Sequence, residues 1–151
     1  MRSKTVSAIV VALMAASMLG QGAASATGLP SGGPVTMVIT EEFCAFRTLC
    51  GTLTGSLGAA LTRTVINTFT YTGDGCFDDV HTTTAVFGDG TLVVEVDGEL
   101  CAGPLPRTFE FAGSWIVRSG SGRFAATSGG GDASSYRQNG PVHETLIGSF
   151  D

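Results

Sequence analysis

The chain has 151 residues, 43% of them hydrophobic, with 13 acidic side chains against eight basic ones and a net charge of −5 at pH 7. That balance lacks the basic footprint that phosphate backbones and anionic bilayers demand, so neither nucleic acid nor a membrane surface is an expected partner. The length suits one domain, large enough to bury roughly two-thirds of the surface its unfolded chain exposes.

Residues 1–26 have the form of a secretory signal peptide. Arg2 and Lys4 make the basic start, Val6 to Leu19 the apolar stretch, and Ala24-Ser25-Ala26 a small-residue cleavage site. The apolar run is interrupted by serines and is shorter than the roughly 20 residues that cross a bilayer, and no later stretch qualifies. The expected mature protein is secreted and extracellular; removal of the signal leaves six basic residues, all arginine, against 13 acidic ones. Residues 27–34 form a Gly/Pro-rich lead-in expected to be flexible ahead of the first strand.

From there eight strands are predicted, at 35–43, 51–57, 62–72, 78–87, 91–100, 107–118, 124–136 and 142–150. Glycine clusters, Pro104, Pro106 and Asn139-Gly140-Pro141 fall between them, and no stretch carries a helical period. Short strands with turn signals between them predict an all-β fold. Eight in up-and-down order favour a single closed antiparallel barrel over residues 35–151.

Alternation assigns the faces. Val35, Met37, Ile39, Glu41 and Phe43 share one side of the first strand, and Leu53 and Leu57 one side of the second. The third is expected to turn Val65, Asn67, Phe69 and Tyr71 inward, although Ile66 lies on the other side. In the fifth, Leu92, Val94 and Val96 oppose Glu95, Asp97 and Glu99. The sixth aligns Phe109, Phe111, Trp115 and Val117, and the eighth Val142, Glu144, Leu146 and Phe150. Two glutamates, Glu41 and Glu144, thus fall on apolar faces of strands that become neighbours when the barrel closes. A buried carboxylate is costly without a partner and suits a proton donor or acceptor, or an anchor for a ligand hydroxyl. The bland alternative is that both reach solvent at strand ends or pair with Arg63 or Arg107.

Four cysteines in an exported chain predict two disulfides, with three possible pairings. A hairpin about Gly88-Asp89-Gly90 places Cys76 and Cys101 opposite each other at its open end, which leaves Cys44 to pair with Cys50 across a short loop. A zinc site is disfavoured because no CxxC spacing occurs. Asp74, Asp78 and Asp79 cluster in a turn but do not match an EF-hand loop, so no metal is expected.

His81 and His143 are the candidate general bases. His81 alternates with Asp79 and Thr83 on a face expected to be external, where Asp97 or Glu95 would pair with it, and His143 is likewise expected to point outward. No Gly-x-Ser-x-Gly elbow or His-Glu-x-x-His is present, so the common hydrolase templates are absent.

Ser119 to Gly131, SGSGRFAATSGGG, joins the sixth and seventh strands. Gly120 and Gly122 are expected to permit a turn at positive φ, Phe124 to close one end of the core, and Gly129 to Gly131 to let the returning strand bend. The run lacks the Lys-Ser/Thr ending of a phosphate loop. Gly120 to Gly129 resembles the strand, Gly-x-Gly-Lys/Arg-Phe turn and Gly-containing strand of the allene oxide cyclase and dirigent superfamily, including its secreted bacterial relatives. The resemblance implies a calycin-like eight-stranded barrel with a central cavity, which binds apolar small molecules and usually needs no cofactor. It transfers no catalytic residue, since none of the family's cavity residues lies in this motif.

The expected function is therefore a secreted barrel that binds an apolar small molecule, and which in its sharper form is a cofactor-free isomerase or cyclase. Glu41, Asn67, Phe69, Tyr71, Phe109, Phe111, Trp115 and Glu144 are its candidate ligand-binding residues. The alternative is a non-catalytic barrel filled by its own side chains and acting through its surface, or an inhibitor presenting the Cys44–Cys50 loop. Eight strands allow an interior of either kind.

Overall fold

The structure is a computed structural model that describes residues 32–151. The expected signal peptide and most of the expected lead-in lie outside the described residues. Eight strands follow one another: β1 (Pro34–Ala45), β2 (Thr48–Gly55), β3 (Ala60–Gly73), β4 (Cys76–Phe87), β5 (Gly90–Ala102), β6 (Thr108–Gly122), β7 (Gly129–Gln138) and β8 (Val142–Phe150). Each pairs antiparallel with the next, and β1 also pairs with β8, so the sheet closes into a barrel in simple sequence order. Closure leaves no open edge strand.

Two strand starts differ from the sequence reading by more than two residues. β2 begins at Thr48, because residues 44–50 form a hairpin with Phe46 and Arg47 at its tip, and Ala45 pairs with Thr48. β7 begins at Gly129, because Arg123 to Ser128 stay outside the ladder as a turn that drives Phe124 into the bore. Gly122 has φ +60°, and a Cβ there would stand 2.1 Å from the Asp89 carbonyl oxygen. Only glycine satisfies both conditions.

The inward faces of β1, β5, β6 and β8 follow the alternation in the sequence, with Met37, Ile39, Leu92, Val94, Val96, Phe111, Trp115 and Leu146 all buried. β3 departs from it. Its inward residues are Ala60, Thr62, Thr64 and then Ile66, and the register shifts between Ile66 and Thr68. This bulge at Asn67 turns Val65 and Asn67 outward and returns Phe69 to the inner side.

The bore has two unlike halves. At one end Phe87, Phe124 and Phe150 join Val35, Leu57 and Leu92 in a filled core, with Phe124 0% exposed. The Arg123 guanidinium lies 4.7 Å from the Phe124 ring centroid and 5.0 Å from that of Phe87, sealing this end. Trp115 sits above, its indole N–H donating to the Ile147 carbonyl at 3.2 Å. The other half is not filled.

Both disulfides form as expected. Cys76–Cys101 joins residues directly opposite at the open end of the β4–β5 hairpin, and Cys44–Cys50 ties the β1–β2 hairpin.

Candidate functional site

The unfilled half is a cavity of about 580 Å³, a size typical of small-molecule sites. Its walls come from inward positions near the end of the barrel opposite Phe124. Ile39, Leu49, Ile66, Leu100, Phe109, Phe111 and Val142 make it largely apolar, and Phe43, Phe46 and Phe69 stand at the rim. Phe46, at the hairpin tip, is 92% exposed. The tip is nonetheless held: Arg47 donates from its guanidinium to the Asn67 carbonyl at 3.0 Å, and its own carbonyl accepts from the Ile66 N–H. Arg137 lies 5.3 Å from the Phe43 ring centroid and donates to the Gly140 carbonyl.

The floor is polar and buried. Glu41 is 4% exposed, Glu144 5% and His81 7%. His81 Nδ1 lies 3.1 Å from Asp79 Oδ1, and Nε2 lies 3.1 Å from Glu144 Oε1, so the imidazole bridges two carboxylates. Beside this row the Thr64 hydroxyl donates to Glu41 Oε1 at 3.0 Å and lies 2.6 Å from the Thr83 hydroxyl. These bonds join β1, β3, β4 and β8 across the bore.

The electrostatics follow from this packing. Burial alone would push the His81 imidazole down, but its hydrogen bonds to Asp79 and Glu144, and their charges, prevail and lift it to about 10. The geometry requires the same state: both ring nitrogens face carboxylate oxygens, and only imidazolium has a proton for each. Among the described residues Glu41 forms no ion pair. Burial raises its carboxyl above the ordinary value, the charge of Glu144 adds to this, and the hydroxyls of Thr62 and Thr64 and the His81 charge pull the other way. The floor thus sets a carboxyl group bonded to the His81 ring beside a second one that burial raises above its ordinary value.

Five of the eight candidate binding residues line the cavity: Glu41, Phe69, Phe109, Phe111 and Glu144. Asn67 faces outward beyond the bulge and donates to the Thr82 hydroxyl at 2.7 Å. Tyr71 is exposed near the end of β3 with its ring tilted against Phe77, and Trp115 is buried in the filled half. The two glutamates do not reach solvent or pair with Arg63 or Arg107. His143 faces out, as expected, with Nδ1 3.3 Å from the Thr40 hydroxyl.

The expected external position of His81 is overturned, because the residue is buried and lines the cavity. The physical reason is register. β4 and β5 turn over Gly88 and Asp89, with Phe87 opposite Gly90 and His81 opposite Val96, so Asp79, His81 and Thr83 share the inner face with Val94 and Val96. Placing His81 opposite Asp97 or Glu95 would require a one-residue slip. Pairing Cys76 directly with Cys101 already fixes the correct register, so the signal was present in the cysteine positions.

Asp79 points inward to His81 while Asp78 is exposed on the opposite face, so the acidic turn does not converge on one point. Among the described residues, the grouping of metal-type side chains is Cys76, Glu99 and Cys101, and both sulfurs are in a disulfide. No known protein family, curated protein or solved structure matches this chain.

Proposed function

We propose that this protein is a secreted barrel that binds an apolar small molecule in its open half, with the polar end of that molecule against Glu41 and Glu144. One observation carries the reading: an apolar-walled cavity of about 580 Å³ ends on a buried, hydrogen-bonded polar floor. Burying four ionisable groups is costly, and a site that binds or transforms a ligand gives them a use that a filled core does not. The rim fits the same purpose, since Phe43, Phe46 and Phe69 extend the apolar wall to the mouth. The resemblance of Gly120 to Gly129 to allene oxide cyclase and dirigent barrels supports a ligand-holding role. Two disulfides are compatible with an oxidising, extracellular setting. The competing expectation, an interior filled by its own side chains, describes the closed half of the bore and not the open half.

Native mass spectrometry on protein purified from culture medium tests the reading. The expected result is a noncovalent adduct that denaturation removes and that Val142→Trp, which places bulk in the cavity, abolishes. A wild-type protein that stays free of adduct, even after incubation with a panel of apolar ketones and alcohols, would sink it.

A further inference from the structure

We propose that the cavity floor is a proton-transfer site for a neutral, largely apolar ketone, with Glu144 as base at the α-carbon and Glu41 as hydrogen-bond donor to the carbonyl oxygen. The proposal rests on the binding reading above and adds an activity to it.

Placement comes first. Glu144 pairs in register with Ile39, and Glu41 stands two residues further along β1, so the two glutamates are diagonal neighbours on one face. Such positions lie roughly 7–8 Å apart along the backbone, with side chains closer, and a carbonyl group and its α-carbon fit between two such carboxyls. Both glutamates line the cavity.

Their environments divide the roles. Glu144 is bonded to His81 through Oε1, and His81 is fixed from behind by Asp79. The His81 ring fixes Glu144 through Oε1 and leaves Oε2 without a hydrogen-bond partner among the described residues; His81 is a positioning residue. Glu41 accepts the Thr64 hydroxyl on Oε1, and burial first and the nearby Glu144 charge second raise its carboxyl, so the donor role falls to it, through Oε2. Two carboxyl groups in unlike surroundings, one bonded to an imidazole ring and one to a hydroxyl, are the arrangement that divides acid and base roles.

The chemistry balances without a co-reactant. Glu144 takes the α-proton, the C–H electron pair becomes the carbon–carbon double bond of an enol, and the carbonyl π pair moves onto oxygen, which takes the Glu41 proton. Return of the proton to the same carbon exchanges or racemises it; return to a conjugated γ-carbon shifts a double bond. A neutral ketone is the substrate class because the floor sets three carboxyl groups against a single imidazole ring and, among the described residues, offers no free cation to an anionic group. The apolar walls accept a hydrocarbon body.

The test is deuterium exchange at the α-carbon of 2-tetralone and of β-ionone in D2O, followed by proton NMR, with saturation transfer on the same samples reporting binding. Wild-type protein is expected to accelerate exchange by about 100-fold over Glu144→Gln, the scale of a general-base contribution, with ketone binding weaker but still detected by saturation transfer in the variant. Glu41→Gln is expected to lose about tenfold in exchange rate, measured at ketone concentrations that still give saturation transfer. Should Glu144→Gln fail to fold, Glu144→Asp keeps the charge and withdraws the base by one methylene, and the same loss is expected. Ketone bound by the wild type without faster exchange than in the variants overturns the proton-transfer site and leaves the binding reading standing. No saturation transfer to either ketone overturns both.

Discussion

His81 Nε2 lies 3.1 Å from Glu144 Oε1, and these residues belong to β4 and β8, which stand four places apart in a closed ring of eight strands. The contact therefore crosses the bore and marks where the filled half ends and the cavity begins. An interior crossed by an ion pair rather than by packed aliphatic side chains depends on protonation for part of its stability.

The direction of that dependence is fixed by His81. Its imidazole is raised from 6.5 to about 10 in the folded protein, so its contribution is fully present below about pH 6.5 and is lost as pH rises through about 10. Urea unfolding across this window is expected to show stability falling by an amount on the order of a few kcal/mol. His81→Gln, which leaves Asp79 and Glu144 buried without their cation, is expected to cost about 3–5 kcal/mol at pH 6 and to flatten the profile. An unchanged slope in that variant would assign the pH dependence elsewhere.

Glu41 behaves in the same sense for a different reason. Burial raises its carboxyl, so the folded state favours the neutral acid, and its contribution is lost as pH rises above the ordinary carboxylate range. Glutamine at this position keeps an oxygen for the Thr64 hydroxyl and never ionises. Glu41→Gln is therefore expected to gain stability relative to wild type as pH rises above the ordinary carboxylate range, as read from paired thermal melts. A stability difference that does not change with pH would show that Glu41 is not raised in the folded protein.

The barrel was legible in the sequence because its cues are local. Alternation on β1, β5, β6 and β8, the Gly88-Asp89 turn and the cysteine positions each act over a few residues. The site was legible where it sits on those strands, as with Glu41, Glu144 and Phe111. It was missed where polar residues line the bore: Asp79, His81 and Thr83 read as an outer face because an inner face is expected to be apolar. Asn67 was misplaced by a bulge, which shifts the phase of β3 between Ile66 and Thr68 and leaves no local mark in a run of threonines and aromatics. Arg47 and Arg137 reach the mouth through a hairpin tip and a strand end, where alternation says nothing.

The closed end should be the more fragile to substitution. Phe124 is fully buried with its ring centroid 4.8 Å from that of Phe87, so Phe124→Ala is expected to cost about 3–5 kcal/mol. Gly122→Ala puts a Cβ against the Asp89 carbonyl in a left-handed conformation and is expected to cost about 2 kcal/mol or more. Chemical denaturation measures both. Neither residue lines the cavity, so ligand affinity in the folded protein is expected to be unchanged, and a large affinity loss would mean that the two halves of the bore are coupled.

The two disulfides separate stability from binding. Cys76–Cys101 spans 25 residues of sequence and Cys44–Cys50 spans six. Restriction of the unfolded chain grows with loop length, so removing the first by paired alanine substitution is expected to cost roughly 3.5 kcal/mol and the second roughly 2.4 kcal/mol. Binding should follow the reverse order. Cys44–Cys50 ties the hairpin that carries Phe43, Phe46 and Arg47 at the cavity rim, whereas neither Cys76 nor Cys101 lines the cavity. Titration of 2-tetralone against each variant, with unfolding curves alongside, is expected to show weaker binding without Cys44–Cys50 and near wild-type binding without Cys76–Cys101. Equal affinities in both would mean that the rim contributes nothing to holding the ligand, which would then be held by the walls and floor alone.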